Sequence, residues 1–380
     1  MEQTIYLDNA ATTKPKKEVI ESMMPYFCNK WHNPSSLYKE GYNVKEDIER
    51  ARRVVGNFIG ANSNEIYFTS GGSESNCWVI QGFINHCKHK NKTAVIITSL
   101  IEHKSIMECV KNMDVNTYYI GVDEKGFVDV ESLEKILGSI NTETREVLVS
   151  LQFANNEIGT IQPIKKIAEI VHKYNAVFHT DAVQAMGQIP INVKEFGIDM
   201  LSASGHKIGT PKGVGILYKK SNVEIDPLIY GSQMDSMRGG TENVPYIIGM
   251  AKAVELYGSN DLKELYNKRN YFIARLIEEF KCILNGSLSN RLPNNISVTF
   301  PQNITGEALL YTLDMCGIEI GVGSACNSHN IEPSYVLKTI GLDDEKAMKT
   351  IRITLPNDIT YKDINNTIEE IKKSIKLIEI

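Results

Sequence analysis

The chain has 380 residues, of which 42% are hydrophobic and 23% are charged, and its formal net charge at pH 7 is -5. This length exceeds what one hydrophobic core usually fills, so we expect a large domain, residues 14–255, and a smaller one, residues 1–13 and 256–380. The acidic balance, with no long block of lysine or arginine, argues against direct DNA binding but does not exclude a folded RNA partner.

The cysteine usage predicts a reducing compartment. The seven cysteines are an odd number and form no CxxC pair. With no recognisable signal peptide or long apolar run, we expect a cytoplasmic protein with free thiols and no membrane association. His86, Cys87 and His89 lie close together, but their spacing matches no standard zinc site, so we expect no metal.

Apolar residues at helical spacing predict a long amphipathic helix between residues 36 and 60. Beyond it, short apolar segments alternate with helical patterns, which predicts an α/β fold with a mainly parallel sheet covered by helices. The strand-like segments are residues 66–69, 94–99, 147–153, 176–180 and 200–202. Residues 213–218 predict a further strand that returns along the sheet, and a helical pattern then dominates residues 245–284.

The C-terminal part indicates a small α+β domain. Predicted strands at residues 295–300, 318–322 and 351–355 accompany a helix at 307–316 and a final helix that Thr360 and Asp363 open as a capping box. No linker rich in Pro, Gly or Ser separates the two domains, so we expect them to pack closely, with a binding site between them.

A lysine follows the predicted strand at 200–202, in the segment Ser202-Ala203-Ser204-Gly205-His206-Lys207. Its small and hydroxylic neighbours favour a partly desolvated amine, which a lysine needs to form a Schiff base with a carbonyl cofactor. Taken alone, Lys207 is more simply explained as a surface lysine, since lysines are mostly exposed. Asp181, after the strand at 176–180, can pair with the ring nitrogen of pyridoxal phosphate or can cap a helix.

Polar groups follow other predicted strands as well, and ligands of open α/β sheets collect at such strand ends. The segment Ser70-Gly71-Gly72-Ser73 can hold a phosphate at a helix start or simply cap that helix, and it lacks the G-x-G-x-x-G spacing of a nicotinamide site. Asn155 ends another strand. His103 can cover a cofactor ring and move protons, or it can be an exposed loop residue.

Cys326 and Arg352 are the candidate residues of the small domain. Cys326 begins a polar loop, which suits a reactive thiol, although isolated free cysteines are more often buried and inert. Arg352 interrupts the apolar strand at 351–355. It can grip a substrate carboxylate with two hydrogen bonds, or it can form a structural ion pair between the domains.

Six segments in this order resemble the class I cysteine desulfurases, and the resemblance covers nearly the whole chain. They are Tyr6-Leu7-Asp8-Asn9-Ala10-Ala11-Thr12-Thr13, Phe68-Thr69-Ser70-Gly71, Glu102-His103-Lys104, Asn155-Asn156-Glu157-Ile158-Gly159, Ser204-Gly205-His206-Lys207 and Gly323-Ser324-Ala325-Cys326. The resemblance implies the aminotransferase class V family and fold type I of the pyridoxal phosphate enzymes. That fold has a large domain with a mainly parallel seven-stranded sheet and a small α+β C-terminal domain, and it forms a homodimer.

The resemblance also implies roles for individual residues. Lys207 binds pyridoxal 5'-phosphate covalently, Asp181 pairs with its ring nitrogen, and His103 stacks on the ring and assists proton transfer. The other implied cofactor ligands come from several loops and from the partner subunit: Gly72, Ser73, Asn155, Gln184, Ser204, His206 and, across the subunit interface, Thr241. The implied ligands of the substrate carboxylate are Asn33, Asn155 and Arg352.

The implied reaction converts L-cysteine to L-alanine and leaves the sulfur as a persulfide on Cys326. An unidentified acceptor protein of iron–sulfur cluster assembly or thio-modification then receives it. The alternatives are a selenocysteine lyase and a diverged, non-catalytic subunit that binds pyridoxal phosphate. The residues after Cys326 and the segment 230–234 depart from the family pattern. Members that serve the general cluster scaffold often carry a tail beyond the position of Ile380, so the resemblance leaves the acceptor open.

Overall fold

The computed structural model describes residues 4–257, 262–323, 326–327 and 330–378, without the side chains of residues 326, 327, 330 and 331. The helices of the described chain are α1 (Lys17–Met23), α2 (Pro25–Cys28), α3 (Lys39–Ile59), α4 (Gly72–His89), α5 (Lys104–Lys111), α6 (Val130–Ser139), α7 (Ile164–Lys173), α8 (Val244–Tyr257), α9 (Leu262–Phe280), α10 (Gly306–Asp314), α11 (Tyr335–Thr339), α12 (Asp344–Met348) and α13 (Tyr361–Ile378).

The strands are β1 (Ile5–Tyr6), β2 (Ile66–Thr69), β3 (Thr93–Ser99), β4 (Asn116–Ile120), β5 (Arg145–Ser150), β6 (Val177–Asp181), β7 (Met200–Ser204), β8 (Gly215–Lys219), β9 (Ile283–Leu284), β10 (Asn295–Thr299), β11 (Ile318–Glu319), β12 (Gly321–Val322), β13 (Cys326–Asn327), β14 (Asn330–Ile331) and β15 (Thr350–Thr354).

A seven-stranded sheet in the order β2-β8-β7-β6-β5-β3-β4 forms the centre of the larger part. The neighbouring strands in the series β7-β6-β5-β3-β4 pair in parallel. Strand β8 is antiparallel to both of its neighbours, β7 and β2. All five residues of β7 and of β8 are buried, as expected where helices enclose a sheet. The predicted α/β sheet and the returning strand after Lys207 are thereby confirmed.

Strand β4 is an element that the apolar pattern does not predict. It lies at the edge of the sheet next to β3, and within it only Ile120 is buried. An edge strand has a neighbouring strand on only one side, so fewer of its side chains are buried and apolar than in a central strand. Its sequence, Asn-Thr-Tyr-Tyr-Ile, therefore lacks the continuous apolar run that marks the central strands.

The predicted amphipathic helix corresponds to α3. Val44, Ile48 and Val55 recur on its buried face, and each such side chain contributes about 1.5–3 kcal/mol by leaving water. The helix ends at Gly60, whose φ of 72° is a left-handed conformation that suits glycine. The helical pattern predicted for residues 245–284 comprises two helices, α8 and α9, and residues 258–261 between them are outside the described chain.

The smaller part contains an antiparallel sheet in the order β12-β15-β10-β9, together with the parallel pair β1 and β11. The strand predicted at residues 318–322 is thus split, since β11 joins β1 whereas β12 joins β15. The capping box of α13 is confirmed: Thr360 N–H donates to Asp363 Oδ2 (3.0 Å), and Asp363 N–H donates to Thr360 Oγ1 (3.1 Å).

Three apolar clusters form the core. The first surrounds the seven-stranded sheet, and the second surrounds the small sheet and includes Leu7 from the N-terminal segment. The third joins Ile101 and Ile158, from loops of the large sheet, to Val336 and Leu337 of α11. It therefore docks the helix that follows the Cys326 segment onto the larger part. The exact domain boundaries stay a prediction.

Within the described chain, no helix is both long and apolar enough for a membrane span. The six cysteines whose side chains are described have free thiols. No group of three or more His, Cys, Asp or Glu side chains in the same residues is arranged to hold a metal ion.

Candidate active site

A cavity of about 200 Å³ lies at the carboxyl ends of β5, β6 and β7. This is the place where ligands of open α/β sheets are expected to bind. The structure brings together at its wall most of the side chains that the sequence singles out for a cofactor: Gly72, Ser73, His103, Asp181, Gln184, Ser204, His206 and Lys207.

Lys207 projects from a short turn that directly follows β7. Gly205 begins that turn, and an added Cβ there would lie 2.3 Å from Thr210 Oγ1, so only glycine fits. The Lys207 Nζ donates to the backbone oxygens of Ala10 (2.5 Å) and Ala11 (2.7 Å). Burial, assisted by the nearby Arg352 charge, lowers the pKa of Lys207 to about 8. A larger fraction of the amine is therefore neutral and nucleophilic near neutral pH than for an exposed lysine.

Asp181 ends β6 and faces the same cavity. Its carboxylate is buried and accepts hydrogen bonds from Asn76 Nδ2 (2.7 Å) and from the Val183 N–H (2.9 Å). Asn76 Oδ1 is buried and has no hydrogen-bond partner within the described chain. Among the described residues no cationic side chain bonds this fixed, buried carboxylate, which suits a protonated ring nitrogen, so the cavity fits a pyridine cofactor.

The start of α4 provides the group of donors that an anion needs. An added Cβ at Gly72 would lie 2.5 Å from Val183 Cγ2, so the backbone here approaches the segment after β6 closely. The first N–H groups of α4 have no partner within the helix and carry its positive dipole end. Ser73, Ser204 and His206 line the cavity beside them, which makes this end suitable for a phosphate.

The histidines at the cavity have different environments. Burial, with the positive charge of Lys207, lowers the pKa of His206 to about 4, so this ring is neutral at pH 7. His103 is exposed and caps α5, because its Nδ1 accepts the Ser105 N–H (3.1 Å). Because Nδ1 is used in this cap, Nε2 is the ring nitrogen that can face a ligand in the cavity.

Asn155, predicted to contact cofactor and substrate, is fully buried behind the wall. Its Oδ1 accepts the N–H groups of Glu157 (2.8 Å) and Ile158 (2.9 Å), and its Nδ2 donates to the Ile101 oxygen (3.2 Å). In this structure the amide shapes the turn that carries Glu157, while its neighbour Asn156 lines the cavity. Contact of Asn155 with a ligand stays a prediction.

Arg352 has an acidic partner from the N-terminal segment. Its Nη2 lies 2.7 Å from Asp8 Oδ1, and its Nη1 donates to the Asn156 oxygen (3.4 Å). The Arg352 Nε is buried and, in the part of the chain that the structure describes, makes no hydrogen bond. Arg352 therefore forms an ion pair, but with a residue of the same predicted small domain and not between the domains, and its Nε is a donor that these contacts leave uncommitted.

Asn33 and Thr241 lie together in a second cavity, of about 310 Å³, with Trp31 and His32. Both residues are thus placed away from the wall formed by Lys207 and Asp181. Ahead of Thr241, the segment 230–234, which departs from the family pattern, ends at Met234, and Met234, Asp235 and Ser236 have φ of 48°, 57° and 64°. Non-glycine residues rarely adopt such angles, so the surrounding contacts must hold this segment in place.

Cys326 lies in β13, which pairs antiparallel with β14 through Cys326 and Ile331 and through Asn327 and Asn330. The position of its thiol is outside the described chain, as are Ser324, Ala325, Ser328 and His329. The role of Cys326 therefore stays a prediction.

Asn76, Gln152, Asn156 and Ala10 also line the cavity, but sequence reasoning assigned them no role. Asn76 is one turn into α4, and only the packing of α4 against β6 shows that it bonds Asp181. Ala10 belongs to the first of the six family segments, but the atom that binds is its backbone oxygen, which accepts from Lys207 Nζ and from Gln184 Nε2 (3.1 Å). Backbone acceptors leave no mark in the residue type.

Glu102, next to His103, gives a testable pH effect. It is fully buried, accepts a hydrogen bond from Ser99 Oγ (2.5 Å), and its Oε2 has no partner among the described residues. Burial raises its pKa from 4.5 to about 8. Between these values the folded chain binds more protons than the unfolded chain, so the carboxyl lowers stability as pH rises, at about 1.4 kcal/mol per pH unit at most.

Glu102→Gln is therefore expected to melt at a temperature that falls less than that of the wild type between about pH 5 and 8. Thermal melts of the cofactor-free proteins across this range measure the effect. Glu124→Gln, at an exposed glutamate, should follow the wild type. Parallel curves for Glu102→Gln and the wild type would show that Glu102 is not held protonated.

The fold and the site define the chain as a member of the aminotransferase class-V family, whose sequence pattern matches residues 5–367. Members of this family are pyridoxal phosphate-dependent enzymes. The chain is 44% identical to the cysteine desulfurase IscS of Dictyoglomus turgidum over 384 aligned positions, 99% of this chain and 95% of that protein.

Solved structures agree with this family assignment. A NifS-like protein matches with a TM-score of 0.90 and 34% identity, over 99% of this chain and all (100%) of that one. A structure described as SspA in complex with cysteine matches with a TM-score of 0.82 and 34% identity, over 93% of this chain and 99% of that one. These comparisons confirm the predicted family and the fold class.

Proposed function

We propose that the protein is a cysteine desulfurase that binds pyridoxal 5'-phosphate in the Lys207 cavity and converts L-cysteine to L-alanine. The observation that carries this proposal is a desolvated lysine that shares one cavity with a buried aspartate, in a chain of the class-V family. Similarity over nearly the full length to a protein named cysteine desulfurase supports the activity. The similar chain described in complex with cysteine supports the substrate.

In the proposed arrangement, Lys207 holds the cofactor covalently and Asp181 keeps its ring nitrogen protonated. When bound, the cofactor withdraws electrons from the substrate Cα and thereby eases loss of the α-proton. His103 and Gln184, which line the same cavity, would hold the ring and its hydroxyl. The start of α4, with Ser73, Ser204 and His206, holds the phosphate.

The Lys207 amine would also accept and return the α-proton of the substrate. Its pKa of about 8 supports this role, because a general base works best when its pKa is near the working pH. Arg352 holds the substrate carboxylate through the donor that its contacts with Asp8 and Asn156 leave uncommitted.

Cys326 is the proposed nucleophile for sulfur. Its thiolate would attack the substrate sulfur and form the S–S bond of a persulfide on Cys326. The electron pair of the broken substrate Cβ–S bond would stay with the carbon skeleton, which takes up a proton at Cβ and leaves as alanine. An acceptor protein then receives the sulfur. The name of the relative is consistent with iron–sulfur cluster assembly, and thio-modification is the other proposed use.

We also propose a homodimer. The second cavity, with Asn33 and Thr241, adjoins the exposed aromatic side chains of Trp31 and Tyr38. Exposed aromatic residues clustered on one surface favour a protein interface. A second copy covering them would allow Thr241 to reach the phosphate of the partner subunit's site.

Turnover of two substrates separates the leading proposal from its alternatives. With L-cysteine and a reductant, the holoenzyme is expected to form alanine and sulfide in equal amounts. Amino-acid analysis and sulfide detection measure both products, with L-selenocysteine as the comparison. Turnover of selenocysteine with negligible turnover of cysteine would establish the lyase instead, and cofactor binding without either product would establish a non-catalytic subunit.

A further inference from the structure

Glu157 connects the wall of the cavity to the segment that carries Cys326. It is positioned by the turn at residues 155–159, in which Asn155 Oδ1 accepts its N–H (2.8 Å) and Gly159, with φ of 72°, completes the bend. Its backbone oxygen accepts from Asn295 Nδ2 (3.1 Å). Hydrogen bonds therefore fix both the N–H and the C=O of Glu157, which gives its side chain a defined direction.

The carboxylate of Glu157 bonds the residue that begins the helix after the Cys326 segment. Ser334 Oγ donates to Glu157 Oε2 (2.5 Å) and also caps α11 by accepting the N–H groups of Val336 (3.1 Å) and Leu337 (3.3 Å). Because the Ser334 oxygen already accepts two hydrogen bonds, its own hydrogen points to Glu157. Glu157 is thus the acceptor that orients the capping hydroxyl.

The same carboxylate lies against the residue before the Cys326 segment. A Cβ added to Gly323 would lie 3.5 Å from Glu157 Oε2, 3.5 Å from Ser334 Cβ and 2.9 Å from Leu337 Cδ1. Gly323 and Ser334, at the two ends of residues 324–333, therefore meet at Glu157. The apolar cluster of Ile101, Ile158 and α11 packs next to this point.

We propose that Glu157 is a positioning residue, which fixes both ends of the Cys326 segment against the cavity wall through Ser334 and Gly323. The inference rests on the proposed role of Cys326 in sulfur transfer. Glu157 does not line the Lys207 cavity, and in this proposal it acts by limiting where the thiol can lie. Misplacement of a reacting group by about 1 Å can cost on the order of 100-fold in rate.

The charge of Glu157 depends on pH near neutrality. Burial raises its pKa to about 7, against the opposing effects of the Ser334 hydrogen bond and of the charges of Arg352 from β15 and Lys104 from α5. Tyr335 from α11 also faces it, and its own pKa is raised by burial and by Glu157. As pH rises through about 7, Glu157 becomes a charged and therefore stronger acceptor for the Ser334 hydroxyl.

The test compares Glu157→Ala and Glu157→Gln as holoenzymes. Glu157→Ala is expected to lower kcat for alanine formation by about 10- to 100-fold, with little change in the KM for L-cysteine or in the cofactor absorption. The glutamine oxygen can still accept from Ser334, so Glu157→Gln is expected to equal the wild type at about pH 6 and to fall below it at about pH 8. The rate at which iodoacetamide alkylates Cys326, followed by peptide mass, reports the position of the thiol independently of turnover.

Glu65→Ala is the matched control, because Glu65 is a buried glutamate that also accepts from a serine hydroxyl, that of Ser221 (3.0 Å), in another part of the fold. It should keep the wild-type kcat. If Glu157→Ala does not fold, the pH dependence of kcat for Glu157→Gln, compared with that of the wild type, tests the proposal instead. A ratio of Glu157→Gln to wild-type kcat that stays constant with pH, together with unchanged alkylation, would overturn the inference.

Cys326→Ser, measured in parallel, keeps the two claims apart. If Cys326→Ser loses sulfur transfer while both Glu157 variants behave like the wild type, the positioning role is wrong and the proposed function stands. If Cys326→Ser transfers sulfur normally, the proposed function itself fails at this residue.

Discussion

Lys207→Ala is expected to reduce turnover of L-cysteine by about 1,000-fold or more, which corresponds to a loss of roughly 4 kcal/mol of transition-state stabilisation. The reason lies in the structure, since the Lys207 amine faces the cavity, is largely withdrawn from water and is held by the Ala10 and Ala11 oxygens. Removal of this amine takes away both the covalent attachment and the nearest proton carrier. Alanine formation by the reconstituted protein measures the loss.

Covalent attachment can be measured separately from activity. Borohydride reduction of the wild type with pyridoxal phosphate is expected to add the cofactor to the peptide that contains Lys207, and Lys207→Ala should show no such adduct. Because burial lowers the pKa of Lys207 to about 8, attachment to the cofactor-free protein should become faster as pH rises through that value.

Lys219→Met supplies a matched control. Lys219 is a buried lysine whose pKa is also lowered by burial, but it lies in β8 and donates to the Val223 oxygen (2.9 Å). This variant should keep both the adduct and the turnover. Full turnover by Lys207→Ala, or attachment of the cofactor at a different lysine in the wild type, would contradict the assignment of the site.

The sequence predicts the parts of this site that follow from chain order. Lys207 and Asp181 each come directly after an apolar strand, and parallel strands bring their carboxyl ends to one edge of a sheet, so their meeting can be inferred from periodicity. The order of the motifs then identifies the family. The residue types at these strand ends carry the chemistry, and they are visible without coordinates.

The contacts that depend on tertiary packing could not be predicted in the same way. Asp8 and Arg352 form an ion pair across 344 residues of sequence, and Asn76 bonds Asp181 across 105. Asn155 is a further case, because its residue type at a strand end does not reveal that its Oδ1 holds the turn of Glu157. Such distinctions depend on side-chain direction, which periodicity does not determine.

Cys326→Ser is expected to leave the cofactor attached at Lys207 while transfer of sulfur to an acceptor falls by about 100-fold or more. A serine hydroxyl is far less ionised than a thiol at neutral pH, and it cannot store sulfur as a persulfide. Peptide mass spectrometry after exposure to L-cysteine should find one added sulfur atom on the Cys326 peptide of the wild type and none on that of the variant.

Cys316→Ser is the control for this second experiment. Cys316 is an exposed thiol ten residues before Cys326 in the sequence, and burial together with Glu370 raises its pKa, which makes it a poorer nucleophile. This variant should transfer sulfur at the wild-type rate. Unchanged sulfide release and unchanged transfer by Cys326→Ser would mean that the substrate sulfur leaves the Lys207 cavity without passing through this thiol. Lys207 and Asp181 would then account for cofactor binding, but sulfur would leave by direct elimination.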